Sequence, residues 1–228
     1  MIRILLILSL LSSCGNLPIA YVQNFSSVNN VVFGYPDYKI SQEIFEDYDN
    51  SFIKVRFGKG PHSILILAYI NDDVYEWVGI DDVKLFTMNG RVIKTIGLEH
   101  NFELINPQKN IFIDSTSANL SYISSLIQNL FGTGDKDQNI SYESINLFNP
   151  NLYSVTIESS LTSSSYELVR FEKKVDAIRF KVINEIKPIG WKETNYYYKN
   201  LKSGLIERTS QHMHPRLPVA NIEFYYKF

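Results

Sequence analysis

The chain has 228 residues, of which 45% are hydrophobic, 14% aromatic and 20% charged, with a formal net charge of −2 at pH 7. This is a globular composition, rich in Tyr and Phe, and its length suits one domain or a tightly fused pair. The small negative charge excludes the basic footprint of a nucleic-acid-binding protein, so we expect no nucleic-acid partner.

The N-terminus has the features of an export signal. One positive charge precedes an apolar run from Ile4 to Leu11, which is far too short to span a bilayer. Leu11-Ser12-Ser13-Cys14 then resembles the lipobox of bacterial lipoproteins, in which cleavage precedes a cysteine that has received a lipid. Cys14 is the only cysteine of the chain, and lipidation explains this otherwise unpaired thiol. The alternative is an ordinary secretory peptide with an incidental cysteine.

The lipobox divides the chain into three parts. Residues 1–13 are predicted to be a signal peptide, residues 14–40 a lipid-anchored tether, and residues 41–228 a β-rich periplasmic domain. Three acyl chains are usual on such a cysteine, and two hydrophobic anchors already hold a protein stably on a membrane. Gly15 stands where a signal for retention at the inner membrane would place Asp. The predicted location is therefore the outer membrane, with the domain facing the periplasm.

Short structural signals follow the tether. Ser41 is a candidate N-cap for a helical turn, because acidic side chains follow it in the first turn. Residues 52–57, 64–70 and 74–78 then have the composition and alternation of β-strands, with turn residues between them.

The segment from Trp77 to Leu98 contains the strongest hairpin signal. Asn89-Gly90 lies between two runs rich in β-forming residues and predicts a two-residue type I′ turn. Pairing across that turn would place Met88 opposite Arg91, Phe86 opposite Ile93 and Lys84 opposite Thr95. Both faces of the hairpin then mix apolar and polar side chains, which predicts a hairpin covered on both sides.

The rest of the chain adds a helix and more strands. A helix is predicted from Leu120 to Leu130, where apolar residues recur at spacings of three and four and Gly132 follows. Strands are predicted at 153–159, 165–173, 177–186, 192–199, 205–210 and 222–228. The predicted fold is therefore mainly β, a large antiparallel sheet that is sandwich- or barrel-like, with one or two short helices.

Few residues suggest chemistry. His212 and His214 lie two apart, would share one face of a strand, and are a candidate pair of metal ligands, but no further motif completes a site. We therefore predict no metal, no cofactor and no catalytic residues. Sugar rings could stack on Trp77, Trp191 or the run Tyr196-Tyr197-Tyr198, although alternation places Tyr197 on the face opposite Tyr196 and Tyr198. Arg91 could pair with an acid or a glycan, and structural packing explains all these residues as well.

Several segments resemble one bacterial family. The lipobox Cys14, Val55-Arg56-Phe57-Gly58, Trp77 with residues 82–86, and Asn89-Gly90-Arg91 with residues 94–98 resemble the YjbF/GfcB lipoproteins in identity and order. Residues 191–218 are similar to the family's closing region, in which a Trp-led strand and a Ser-Gln pair, here Ser210-Gln211, precede a Pro. Gln211 therefore joins Trp77, Arg91 and Trp191 as a candidate position for glycan or partner contact.

The resemblance implies a role in capsule or exopolysaccharide export. It implies a non-enzymatic outer-membrane lipoprotein that acts by binding or scaffolding. Its expected partners are the membrane, through the lipid, other polysaccharide-export proteins of the periplasm and outer-membrane β-barrels, and polysaccharide. No catalytic residue carries over, and Cys14 matches as the lipid attachment site. The alternatives are a periplasmic enzyme that modifies exported polysaccharide and a purely structural envelope lipoprotein.

Overall fold

The structure, a computed structural model, describes residues 34–108 and 139–228. These residues belong to two compact units. In the smaller one, residues 34–38 lie with Lys59–Pro61, and the backbone N–H of Tyr35 donates to the Lys59 carbonyl at 3.2 Å. The larger unit holds the other described residues and all the strands discussed below.

The larger unit begins with a short helix and continues as strands. The helix α1 spans Gln42–Asp47, and the Ser41 side chain caps it by accepting from the Ile44 N–H at 3.2 Å, which confirms the predicted turn. A short 3-10 helix spans Lys187–Ile189. The strands are β1 Phe52–Phe57, β2 His62–Asn71, β3 Val74–Val78, β4 Lys84–Met88, β5 Arg91–Ile96, β6 Phe102–Ile105, β7 Asn139–Leu147, β8 Leu152–Arg170, β9 Lys173–Ile186, β10 Trp191–Asn200, β11 Ile206–Gln211 and β12 Ala220–Tyr225.

The strands form one closed antiparallel barrel. Each strand pairs with its neighbour in sequence, and β1 pairs with β12 to close the sheet, with Val55 opposite Ile222. Closure removes the unpaired edges that an open sheet would expose. The predicted mainly β fold with a large antiparallel sheet is confirmed, and the barrel is the form that it takes.

Alternation along the strands separates the interior from the exterior. Ile53, Val55, Ile222 and Phe224 belong to one large buried cluster, to which β1 to β12 all contribute. Phe52 and Tyr225 point the other way, stack with ring centroids 4.7 Å apart, and lie under helix α1. The helix therefore covers the exterior at the seam where the barrel closes.

The hairpin β4–β5 differs from its predicted register. Asn89 and Gly90 have φ values of +49° and +73°, as a type I′ turn requires, and Met88 lies opposite Arg91. A one-residue bulge then shifts the pairing, so that Phe86 lies opposite Lys94 and not opposite Ile93. Near the turn, consecutive residues of both strands are buried, whereas the outward side chains further along, Phe86 and Lys94, are half-buried. The hairpin is therefore a wall of the barrel that is covered on both sides only near its turn.

Other boundaries also differ from the predictions. The predicted strands 153–159 and 165–173 are one continuous strand, β8, and the chain turns at Phe171 and Glu172, both with positive φ. The strands β6 and β7 had no counterpart in the sequence-based prediction. The predicted helix from Leu120 to Leu130 lies outside the described residues.

Candidate functional site

Gln211 is the centre of a buried polar network. Its side chain is 1% exposed and joins the hairpin β4–β5 to β11 across the barrel interior. The amide oxygen accepts from the Val92 N–H at 3.0 Å and from the Tyr197 hydroxyl at 3.2 Å, and the amide nitrogen donates to the Gly90 carbonyl and the Thr209 hydroxyl, both at 2.9 Å. The amide therefore uses its full hydrogen-bonding capacity within the protein.

Arg91 forms a buried ion pair in the same region. Its guanidinium reaches Glu143 on β7 with two parallel bonds, Nη1 to Oε1 at 3.0 Å and Nη2 to Oε2 at 2.6 Å. The side chains are 8% and 2% exposed, and Glu143 Oε1 also accepts from the Gln108 N–H at 2.9 Å. A bidentate geometry with an additional hydrogen bond is what a buried pair needs to offset desolvation. We call Arg91, Glu143, Tyr197, Thr209 and Gln211 the polar centre.

The buried Tyr197 phenol is protonated at physiological pH. Burial raises the pKa of its phenol to about 12, although the positive charge of Arg91 and a hydrogen bond with Asn195 act in the opposite direction. The hydroxyl therefore stays protonated, as its bond to Gln211 requires. The hydrogen bonds of the polar centre therefore stabilise the fold by joining β10 and β11 to the hairpin β4–β5.

The cavities beside the polar centre are small. One of about 20 Å³ is lined by Arg91, Asn184, Trp191 and Gln211 among others, and has room for about one water molecule. Another of about 140 Å³ lies at the tip of β4–β5, beside Lys199. Sites for small organic ligands usually measure about 300–1,000 Å³. Neither cavity has the volume of such a site.

The two tryptophans lie apart from each other. Trp77 is fully buried, and its indole N–H donates to the Thr87 hydroxyl at 2.7 Å, so neither face of the ring is accessible for stacking in this conformation. Trp191 is 9% exposed and meets His212 edge-on, with ring centroids 5.7 Å apart. Its indole N–H has no hydrogen-bond partner within residues 34–108 and 139–228. The barrel thus brings Arg91 and Gln211 together and leaves Trp77 elsewhere.

The two histidines do not share a strand face, contrary to prediction, because β11 ends at Gln211. His212 Nδ1 lies 3.2 Å from Glu193 Oε1, without the geometry of a hydrogen bond. His214 instead stacks on His100, with centroids 5.1 Å apart and the rings 10° from parallel. Among the described residues, no three His, Cys, Asp or Glu side chains are grouped to hold a metal ion.

His214 should make stability depend on pH. Burial, followed by the charges of His100, Arg216 and His212, lowers its pKa from 6.5 to about 4. Because the unfolded chain takes up this proton first, the free energy of unfolding should fall as pH drops from about 6.5 to about 4, by about 1–3 kcal/mol after allowance for solvent screening. Denaturant titrations at pH 7 and pH 4 should show a smaller fall for His214→Gln than for the wild type.

An independent measurement covers the case in which the His214 variant folds poorly. The imidazole resonances of His214 in the wild-type protein, followed by NMR, should not titrate above about pH 5. The lowered pKa of His214 is contradicted if these resonances titrate near pH 6.5. It is also contradicted if His214→Gln and the wild type lose the same free energy of unfolding between pH 7 and pH 4.

Sequence reasoning missed two of the five residues of the polar centre, Glu143 and Thr209. Tyr197 was considered only for stacking on sugar rings, whereas Arg91 and Gln211 were candidates for contact with a glycan or partner. An isolated Glu in the alternating segment 139–147 was the available signal, because a charge at an inward position of a strand needs a buried partner.

The fold and the polar centre define a class of protein. This is a closed antiparallel β-barrel domain in which the buried side chains of the polar centre are hydrogen-bonded within the protein and join the hairpin β4–β5 to β7 and to β11. Within residues 34–108 and 139–228, no helix is both long and apolar enough to cross a bilayer. The family described as "Group 4 capsule polysaccharide lipoprotein gfcB, YjbF" matches residues 25–224, and the chain belongs to this family.

One curated relative and two solved structures are similar to parts of the chain. The chain is 27% identical over 70 residues to the "Uncharacterized lipoprotein GfcB" of Escherichia coli (strain K12), a match that spans 31% of this chain and 33% of the relative. The crystal structure of the hypothetical lipoprotein YmcC from Escherichia coli (K12) is similar in fold, with a TM-score of 0.60 and 19% identity over 89% of this chain and 95% of that chain. A putative lipoprotein from Parabacteroides distasonis matches with 8% identity over 78% of this chain and 95% of that chain, at a TM-score of 0.29.

Proposed function

We propose that this protein is a lipid-anchored accessory of capsule or exopolysaccharide secretion that acts by binding or scaffolding and not by catalysis. The family is described by its link to group 4 capsule polysaccharide. The observation that carries the proposal is the polar centre, in which Arg91 pairs with Glu143 and Gln211 bonds to the Gly90 carbonyl inside the barrel. Groups committed in this way hold the walls together and are not presented to a substrate.

The proposed location is the outer membrane, with the barrel in the periplasm. Support comes from the lipobox at Cys14 and from Gly15, which replaces the Asp of an inner-membrane retention signal. The lipid would keep the domain beside the export machinery at the membrane surface. Proposed partners are other polysaccharide-export proteins, including outer-membrane β-barrels, and polysaccharide itself.

Replacement of the lipidated cysteine tests the anchor. We expect Cys14→Ala to move the protein out of the outer-membrane fraction, because no thiol remains to receive lipid. Ser13→Ala keeps a small residue at the cleavage position and should stay in the outer membrane. Membrane fractionation with immunoblotting measures both. Outer-membrane retention of the Cys14 variant would show that the anchor is elsewhere.

Deletion of the gene tests the role. The proposal expects less surface polysaccharide after deletion, restored by the wild type and not by Cys14→Ala. Normal polysaccharide would instead indicate a purely structural envelope lipoprotein. Incubation of the purified full chain with the host polysaccharide should leave its chain length and substituents unchanged, and altered products would overturn the non-enzymatic assignment.

A further inference from the structure

The exterior of the barrel carries two rows of side chains across neighbouring strands. Strand pairing places residues from β8, β9, β10 and β11 side by side in each row, about 4.8 Å apart from strand to strand. One row is Ser164, Arg179, Tyr198 and Arg208, and the other is Thr162, Lys181, Tyr196 and Ser210.

These rows face outward. The residues between them along the strands, Phe180, Tyr197 and Thr209, are 1% exposed or less and point into the interior. The side chains of the rows on β9, β10 and β11 are half-buried, whereas Thr162 and Ser164 are exposed. Tyr166, the next outward residue of β8, is 36% exposed. The rows therefore form a surface that solvent and a partner can reach.

The charges on this surface are mostly positive and weakly neutralised. Within the described part of the chain, Arg179 and Lys181 have no carboxylate within ion-pair distance. Arg208 reaches Glu223 only at 4.0 Å, and Glu223 is shared with Lys54 at 3.2 Å. Such a concentration of unneutralised cations is unexpected in a chain with a net charge of −2.

Aromatic rings alternate with these cations. Tyr166 and Tyr198 have ring centroids 4.7 Å apart, and the Arg179 guanidinium lies 5.9 Å from Tyr166 and 5.8 Å from Tyr196. The positive charges of Arg179 and Arg208 both lower the pKa of Tyr198, against the larger effect of burial, which shows that they flank its phenol. Arg179 Nε is buried without a hydrogen-bond partner among the described residues.

We propose that this surface, the cationic–aromatic face formed by Tyr166, Arg179, Lys181, Tyr196, Tyr198 and Arg208, binds an acidic polysaccharide chain. Guanidinium and ammonium groups pair with carboxylates, and tyrosine rings offer apolar platforms between them. A chain that crosses the strands would meet these groups repeatedly, at the spacing of the strands. The inference rests on the proposed function and names the ligand class and the surface.

The geometry favours a polymer chain over a membrane surface. Membrane-surface contacts rely on projecting basic side chains above inserted apolar residues. Here Arg179 and Lys181 are half-buried among tyrosines whose hydroxyls are polar, and Thr162 and Ser164 continue the rows with hydroxyls. Hydroxyl and guanidinium donors suit the ring oxygens and hydroxyls of sugars.

Binding of a defined acidic glycan tests the proposal. The full lipidated chain in nanodiscs of neutral lipid is titrated with fluorescent alginate, a polymer of uronic acids, and with dextran as the neutral chain. We expect alginate to bind and to weaken with added salt, and dextran to bind far more weakly. Arg179→Gln with Lys181→Gln should weaken alginate binding by roughly tenfold or more.

A matched variant controls for net charge. Lys174 and Lys192 lie on β9 and β10, outside the cationic–aromatic face, and pair with Glu167 and Glu185 at 2.8 and 3.0 Å. Lys174→Gln with Lys192→Gln removes the same charge and should leave alginate binding within about twofold of the wild type. Tyr196→Ala should weaken binding at high salt as well, since stacking is not screened. Thermal melts verify that each variant is folded.

The outcomes separate this inference from the proposed function. Equal losses in the two double variants, or equal binding of alginate and dextran, would overturn the face as a glycan site. Association with phosphatidylglycerol vesicles without alginate binding, lost in Arg179→Gln with Lys181→Gln, would identify a membrane contact and also overturn it. If the face proves not to bind glycan, a polysaccharide defect after gene deletion would still support the accessory role in secretion. If alginate binds as expected but deletion leaves the polysaccharide normal, only the accessory role would be contradicted.

Discussion

Replacing Glu143 by Gln should destabilise the barrel by about 3–5 kcal/mol, because the Arg91 guanidinium then stays buried without its countercharge. Domains of this kind are stable by only about 5–15 kcal/mol, so the loss is a large fraction of the total. The melting temperature should fall by about 6–20 °C. Thermal and urea unfolding followed by circular dichroism measure the change.

A second ion pair nearby is a matched control. Lys94 and Glu103 face each other on β5 and β6 at 2.9 Å, but their side chains are 38% and 37% exposed. Glu103→Gln should therefore cost less than about 1 kcal/mol. If Glu103→Gln and Glu143→Gln lower the free energy of unfolding equally, burial of the Arg91–Glu143 pair does not increase the cost of removing its carboxylate.

The double variant Arg91→Met with Glu143→Leu separates two explanations. If the cost of Glu143→Gln comes from an unpaired buried charge, removing both charges should recover most of the lost stability. Recovery should be incomplete, because the Gln108 N–H loses its acceptor on Glu143. A double variant that is no more stable than Glu143→Gln would show that the shape of the pair matters more than its charge.

Replacing Gly90 by Ala should be the second large effect, about 2–5 kcal/mol. Gly90 has φ +73°, which costs an L-residue about 1–2 kcal/mol, and a Cβ there would lie 2.4 Å from Ile206 Cγ2 and 2.6 Å from Ile206 Cβ. Relief of such an overlap costs about 1–3 kcal/mol more. The hairpin tip should therefore move off β11 and strain the Gln211 bond to the Gly90 carbonyl.

Gly204 separates the cost of the backbone conformation from the cost of the clash with Ile206. It has nearly the same backbone angle, φ +72°, but no atom lies within 4 Å of the position of an added Cβ. Gly204→Ala should cost only the backbone part, about 1–2 kcal/mol. In an Ile206→Gly background, which removes both Cγ2 and Cβ, Gly90→Ala should cost no more than Gly204→Ala, as chemical denaturation would show. Equal costs for the two glycine variants in the wild-type background would contradict the clash.

Sequence patterns predicted correctly the structural features that depend on residues close together in the chain. The Ser41 cap and the Asn89-Gly90 turn depend on residues within a few positions of each other, and both are present. Alternation along the strands predicted the antiparallel sheet for the same reason. The strand β7 escaped detection because its apolar residues change face, with Ile140 and Tyr142 exposed and Ile145 and Leu147 buried. Glu143 adds a charge to the buried face, which is tolerated by pairing with Arg91, 52 positions away in the chain.

Composition, alternation and turn chemistry were enough to predict a mainly antiparallel β domain, because these properties arise within short windows of the chain. The bulge in β4–β5, the closure of β1 on β12 and the polar centre depend on residues that closure brings together, such as Val92 and Gln211, 119 positions apart. The same long-range register aligns Arg179, Tyr198 and Arg208 in one exterior row. Their alignment is a property of the closed sheet, since the three residues lie on three different strands.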